Sequence, residues 1–184
     1  MNRYNIALLP IDPEQQKLFV EIAQAHFKDI AEGYILGTDA LAHVTLCQFQ
    51  AVNESMVISS FRAWRCRSKM VLSLDKFHLR KGQAEHEGKF WAEFLMIKSP
   101  EIVQEQTACF KHIKKAGLVP LTPVEGYAPH ITLARVALSN VSNPETYPYS
   151  VAVQPAVGVS TENGVFVRTL AGASKVAVCR LKFV

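Results

Sequence analysis

His43-Val44-Thr45-Leu46 and His130-Ile131-Thr132-Leu133 are two copies of one phrase, a His-x-Thr step set in an apolar, β-branched run. From position 43 to position 130 is 87 residues, close to half of the 184-residue chain. A repeat at that spacing points to two similar half-domains, each giving one imidazole and one hydroxyl to a shared site. Side chains alternate between the faces of a strand. His43 and Thr45 therefore share a face, as do His130 and Thr132. Val44, Leu46, Ile131 and Leu133 point the other way, toward a core. A lone His on a strand is most often a packing residue, but two identical patterns at half-chain spacing are poorly explained by packing.

Around these strands the chain reads as an alternation of helices and strands. Residues 4–9 form a first strand. Asp12-Pro13 opens a helix, with Asp as cap and Pro in the first turn, and its apolar stripe runs from Leu18 through Ala31. Gly33 and Gly37 mark a loop before the first His-x-Thr strand, 42–49. A helix over 54–66 and strands over 70–79 and 89–97 follow. Ser99-Pro100-Glu101 starts a second capped helix that runs to Ala116, with Gly117 at its end. A loop containing Pro120, Pro123 and Gly126 leads to the second motif. Residues 138–149 read as a polar loop. Residues 151–160, 165–170 and 175–184 read as closing strands, with a tight turn at Asn163-Gly164. This order predicts an α+β fold of mainly antiparallel sheets with outer helices, a single domain spanning 1–184.

The composition is that of a folded soluble protein, 49% apolar and 20% charged. No apolar run is long enough to span a bilayer, and the N-terminus lacks the shape of a signal peptide. A cytoplasmic protein with no membrane contact is the expectation. Cys47, Cys66, Cys109 and Cys179 show no metal-binding or redox spacing and read as reduced thiols. The net charge of +4 mildly favours a polyanionic ligand. Arg62, Arg65, Arg67 and Lys69 form one basic cluster, and Arg80-Lys81 near His78 form another. Each reads either as solvated surface or as a rim that collects phosphates.

Two histidines on one cleft suit general acid–base catalysis, because one imidazole can take a proton while the other gives one. The two threonines can donate hydrogen bonds to phosphoryl oxygens as charge builds in the transition state. That layout fits in-line displacement at a phosphodiester with no cofactor and no metal. Other chemistries lack their motifs: there is no nucleotide-binding Gly-rich loop, no dinucleotide fingerprint, no His-Glu-x-x-His and no nucleophile elbow. His86-Glu87 sits in a polar loop without a second His. Cys47 falls on the His43 face by alternation, but it lies about 13 Å along the strand, too far for a catalytic pair. A metal site using both histidines would lack nearby carboxylates, since threonines occupy those places.

The doubled motif, and above all Ala128-Pro129-His130-Ile131-Thr132-Leu133-Ala134-Arg135, resembles the two-histidine phosphoesterase superfamily, whose bacterial members are RNA 2′,3′-cyclic phosphodiesterases, also called 2′-5′ RNA ligases. The resemblance covers nearly the whole chain. It implies a two-lobed, pseudo-symmetric fold about a central cleft, and metal-independent opening of cyclic phosphates or cleavage of 2′-5′ linkages. RNA 3′ ends or small cyclic nucleotides would be the partners, and the protein would be a monomer. His43 and His130 would be the catalytic pair, the first drawn as acid and the second as base. Thr45 and Thr132 would hold the phosphate. Arg135 matches a family position too, yet simple alternation puts it opposite His130, so only a bulge or a strand end would bring it to the phosphate. Members of the family stack bases on aromatics, for which Tyr127, Tyr34 and Phe49 are the candidates here, with Trp91 also on a strand. Two alternatives remain at this level: a nucleotide- or RNA-binding module with little turnover, and an enzyme for a specialised small nucleotide such as 2′-5′ oligoadenylate.

Overall fold

A computed structural model describes residues 2–64, 69–83, 86–137, 144–145, 148, 150–160 and 166–169, the last for their backbone alone. Arg65, Cys66, Arg67 and Cys179, most of the 138–149 loop, the Asn163-Gly164 turn and the strand expected over 175–184 lie outside the described residues.

The first half begins with β1 (Asn2–Pro10), α1 (Pro13–Phe27), β2 (Ala31–Ile35) and β3 (Val44–Ala51). After α2 (Glu54–Ala63) and β4 (Met70–Lys81), the pattern restarts with β5 (Phe90–Met96), α3 (Pro100–Lys115), β6 (Val119–Pro120) and β7 (His130–Val136). β8 (Ser150–Ser160) and β9 (Phe166–Thr169) close the described chain. Both long helices start as the sequence dictates. Asp12 accepts from the Glu14 amide and Ser99 from the Ile102 amide, each followed by Pro in the first turn. Pro13 and Pro100 are 87 residues apart, the same interval as the two histidines.

The strands join in the order β2-β7-β5-β4-β8-β1-β3-β6, with β9 on β8 and every pairing antiparallel. β3 also pairs with β7, through Val44 and Ile131, so the sheet closes on itself. A pseudo-twofold axis follows from these pairings. β1–β3 answers β5–β7, and β1–β8 answers β5–β4. β2 on β7 answers β6 on β3. The axis passes through β4–β8 on one side and through Val44–Ile131 on the other.

The halves interlock. β2 and β6 each lie on the motif strand of the opposite half, and so do the helices, with α1 against β7 and α3 against β3. α1 buries Phe19, Ile22, Ala23 and Phe27. Phe19 meets Phe94 of β5, and Phe27 stacks on Phe77 of β4 at 5.9 Å. Each such ring contributes about 1.5–3 kcal/mol by leaving water. Among the described residues no helix is long and apolar enough to cross a membrane.

The helical stripe was expected to reach Ala31, but α1 stops at Phe27 and Ala31 opens β2. β2 escapes the alternation rule because it is a short strand at the sheet edge with irregular register. It bends at Gly33, whose φ of +71° only glycine adopts readily. The sequence also missed a bulge in each motif strand. Ala7 pairs with Thr45 but Ile6 pairs with Cys47, so Leu46 is an extra residue. Glu93 pairs with Thr132 but Ala92 pairs with Ala134, so Leu133 is its counterpart. A one-residue bulge reverses which face every later side chain uses.

Candidate active site

The bulges decide which side chains reach the cleft. His43, Thr45 and Gln48 line one wall of a cavity of about 560 Å³, and His130 and Thr132 line another. That volume suits a nucleotide-sized ligand. Cys47 and Phe49, expected on the His43 face, are turned into the core, both fully buried, and Phe49 stacks on Tyr4 at 6.0 Å. Phe49 is thus corrected from a base-stacking candidate to a packing residue. Gln48 takes its place on the cleft, and the Gln48 amide is held by Thr122 Oγ1 at 2.9 Å.

The two histidines are held alike. His43 Nδ1 lies 2.8 Å from the Leu41 carbonyl and His130 Nδ1 lies 2.8 Å from the Ala128 carbonyl, each two residues back. A carbonyl only accepts, so Nδ1 carries the hydrogen in both rings and Nε2 is left as the exchangeable nitrogen. His43 is buried on its strand entry, and His130 is half-buried. Asn5 Nδ2 donates to Thr45 Oγ1 at 3.0 Å. That contact fills an acceptor position of the hydroxyl and leaves its proton to donate elsewhere. Thr132 Oγ1 has no hydrogen bond among the described residues.

Tyr34 and Tyr127, also offered for base stacking, both line the cavity, and their hydroxyls do something the sequence did not reveal. Tyr34 donates to the Thr132 carbonyl at 3.2 Å, and Tyr127 donates to the Thr45 carbonyl at 2.8 Å. Each therefore pins the motif of the opposite half. Burial pushes both phenols above the ordinary tyrosine range, helped at Tyr127 by Cys109, so they stay neutral donors.

Arg135 gets the bulge it needed, yet it does not line the cavity. It is buried behind Trp91, with its guanidinium 5.5 Å from the ring centroid. Its Nε donates to the Glu32 carbonyl at 2.7 Å, and its NH1 lies 3.2 Å from His86 Nδ1. The residues that sequence reasoning did not place at the site are Asn5, Gln48, His86 and Glu93. Glu93 left a signal, an acid in the middle of the apolar run Phe90-Trp91-Ala92-Glu93-Phe94-Leu95-Met96. It is almost fully buried and meets Arg80, His78 and His130 Nε2, the last at 3.8 Å. Arg62 and Lys69, the described part of the first basic cluster, are not among the cavity residues, whereas Arg80 of the second is. Among the described residues no group of three His, Cys, Asp or Glu is arranged to hold a metal.

An α+β chain with two bulged His-x-Thr strands facing one cleft across a pseudo-twofold axis has close structural likenesses. One is E. coli LigT complexed with 3′-AMP, with a TM-score of 0.61 and 20% identity over 92% of this chain and 91% of that one. A phosphoesterase of known structure gives a TM-score of 0.63 and 18% identity over 88% and 90%. E. coli LigT complexed with NADP+ gives 0.59 and 20% identity over 87% and 88%. The chain has the LigT fold. No protein-family model and no curated protein sequence matches it.

Proposed function

We propose that this chain is a two-histidine phosphoesterase that opens 2′,3′-cyclic phosphates on RNA 3′ ends or small nucleotides, leaving a 2′-phosphate, and acts as a monomer without a metal. The observation that carries this reading is the matched pair of imidazoles. Both are fixed through Nδ1 at 2.8 Å to a carbonyl two residues back, and both line one cavity with a threonine two residues on. A matched pair is what a displacement needs when one oxygen loses a proton as another gains one.

In the hydrolytic direction, water attacks phosphorus and the bond to O3′ breaks. His130 takes the proton of the water, and His43 gives its proton to O3′. The Glu93 carboxylate, 3.8 Å from His130 Nε2, faces the positive charge that His130 gains in that step. Thr45 and Thr132 donate to the non-bridging oxygens, where fixed donors lower the energy of the five-coordinate transition state. With a 5′-hydroxyl in place of water, the same displacement with the histidines in the same roles forms a 2′-5′ linkage and frees O3′. The histidines exchange roles when a 3′-hydroxyl attacks that linkage and the 5′-oxygen leaves. The nucleotides in the LigT complexes support a nucleotide-type ligand for this cleft.

The test is a cleavage assay on a short RNA ending in a 2′,3′-cyclic phosphate, with EDTA present. Wild type should yield the 2′-phosphate. His43→Ala and His130→Ala should each lose about 10²–10⁴ in rate while melting at the wild-type temperature. Full activity in either variant, or activity that EDTA removes and metal restores, overturns the reading.

A further inference from the structure

The pseudo-twofold axis gives the cleft an internal control. At equivalent positions of the two halves, Trp91, Glu93, His78 and Arg80 stand where the other half has Asn5, Ala7, Ala156 and Gly158. Every charge in this comparison lies on one side, and the acid–base chemistry uses neither His78 nor Arg80.

Arg80 is arranged as an anion receptor. Its Nε donates to both oxygens of Glu93, at 3.3 and 3.1 Å, which fixes the plane of the guanidinium. Its terminal nitrogens make no hydrogen bond among the described residues, its side chain is 46% exposed, and it lines the cavity that holds both histidines. Arg135, next but one in the same cross-strand row, commits its Nε and NH1 to Glu32 and His86. Glu93 does not repel an incoming anion outright, because Arg80 and His78 Nδ1, at 3.2 Å, face its charge. Two contacts through one oxygen, Glu93 Oε2, of 3.1 and 3.8 Å, link Arg80 Nε to His130 Nε2. Arg80 and His130 are thus neighbours through a single carboxylate oxygen and line the same nucleotide-sized cavity, so one nucleotide bearing two phosphates can address both.

We propose that Arg80, positioned by Glu93, forms a second phosphate subsite, so that the preferred ligand carries a further phosphate on the 5′ side of the reacting nucleotide. This rests on the reading of the cleft as a nucleotide phosphoesterase site. It selects a 5′-extended RNA end or a 5′-phosphorylated nucleotide over a bare nucleoside cyclic phosphate.

The experiment is calorimetric titration of adenosine 2′-monophosphate and adenosine 2′,5′-bisphosphate into wild type, Arg80→Gln and Arg80→Lys, at one fixed ionic strength. Wild type should bind the bisphosphate about tenfold more tightly, the worth of one charge-assisted phosphate contact. Arg80→Gln should remove that preference while leaving monophosphate affinity within about twofold, and Arg80→Lys should keep part of it. Wild type that binds both equally, or a preference that survives in Arg80→Gln, overturns the subsite alone. Wild type that binds neither overturns the subsite and the nucleotide reading together. In turnover, Arg80→Gln should raise KM for a 5′-phosphorylated cyclic nucleotide about tenfold relative to KM for the same nucleoside cyclic phosphate without the 5′-phosphate, whereas a general loss of structure would affect both substrates alike and leave that ratio at its wild-type value.

Discussion

Tyr34 and Tyr127 reach across the pseudo-twofold axis, each donating to the carbonyl of a threonine in the opposite motif. Removing either hydroxyl deletes a part-buried hydrogen bond, which costs about 0.5–1.5 kcal/mol. Tyr127→Phe should therefore unfold at lower urea concentration with an unchanged slope. A midpoint equal to wild type would reduce the contact to incidental packing. The same tyrosines set an alkaline limit. Burial raises both above the ordinary value of 10.0, so above that pH the unfolded chain loses protons that the native state keeps. Their stabilising effect is complete below about pH 10 and is lost as pH rises beyond it. Tyr34→Phe/Tyr127→Phe should lose stability less steeply between pH 10 and 11 than wild type does, and an identical slope would count against burial as the cause. The histidines and threonines were legible from the sequence because a repeated phrase is visible without structure. The pinning tyrosines were not, because their partners are backbone atoms about half a chain away.

The bulges at Leu46 and Leu133 explain both the successes and the errors of the sequence reading at the level of the strands. Polar residues fall at 43, 45, 48 and 50 in the first motif strand and at 130, 132 and 135 in the second. The step of two becomes a step of three after each threonine, which is how a bulge looks in sequence. Strict alternation instead sent Phe49 and Cys47 to the cleft and Arg135 away from it. Arg135 does turn to the cleft side, and Gly33 of β2 makes room for it. A Cβ at Gly33 would collide with Arg135 NH2, whereas one at Gly88, φ +82°, would meet nothing. Both positions have positive φ, so both alanine variants carry a backbone cost of about 1–2 kcal/mol. Gly33→Ala should cost more than Gly88→Ala in a thermal melt, and Arg135→Ala should relieve only the excess at Gly33. Equal costs for the two glycines would mean that Arg135 moves aside freely.

For the whole molecule, interlocking matters more than the notion of two lobes. Each half sends a helix and a short strand onto the motif strand of the other, so neither half encloses its own apolar face. The sheet closes on the axis twice, with unequal strength. β4 and β8 are joined by four residue pairs, Met70–Val153 to Ser73–Ser150, while β3 and β7 meet in the single pair Val44–Ile131. The weak seam runs through the middle residue of both motifs. Local opening follows the least supported contacts, so amide exchange in the segments around Val44 and Ile131 should be faster than in 70–73 and 151–153. A phosphate that touches threonines of both motifs adds links across that seam alone. Adenosine 2′-monophosphate at saturation should therefore slow exchange at 43–46 and 130–133 and leave β4 and β8 unchanged, as read by hydrogen–deuterium exchange of peptides. Uniform protection of all four strands would mean that the ligand stabilises the fold globally, and protection of one motif only would mean that the phosphate is held by one half.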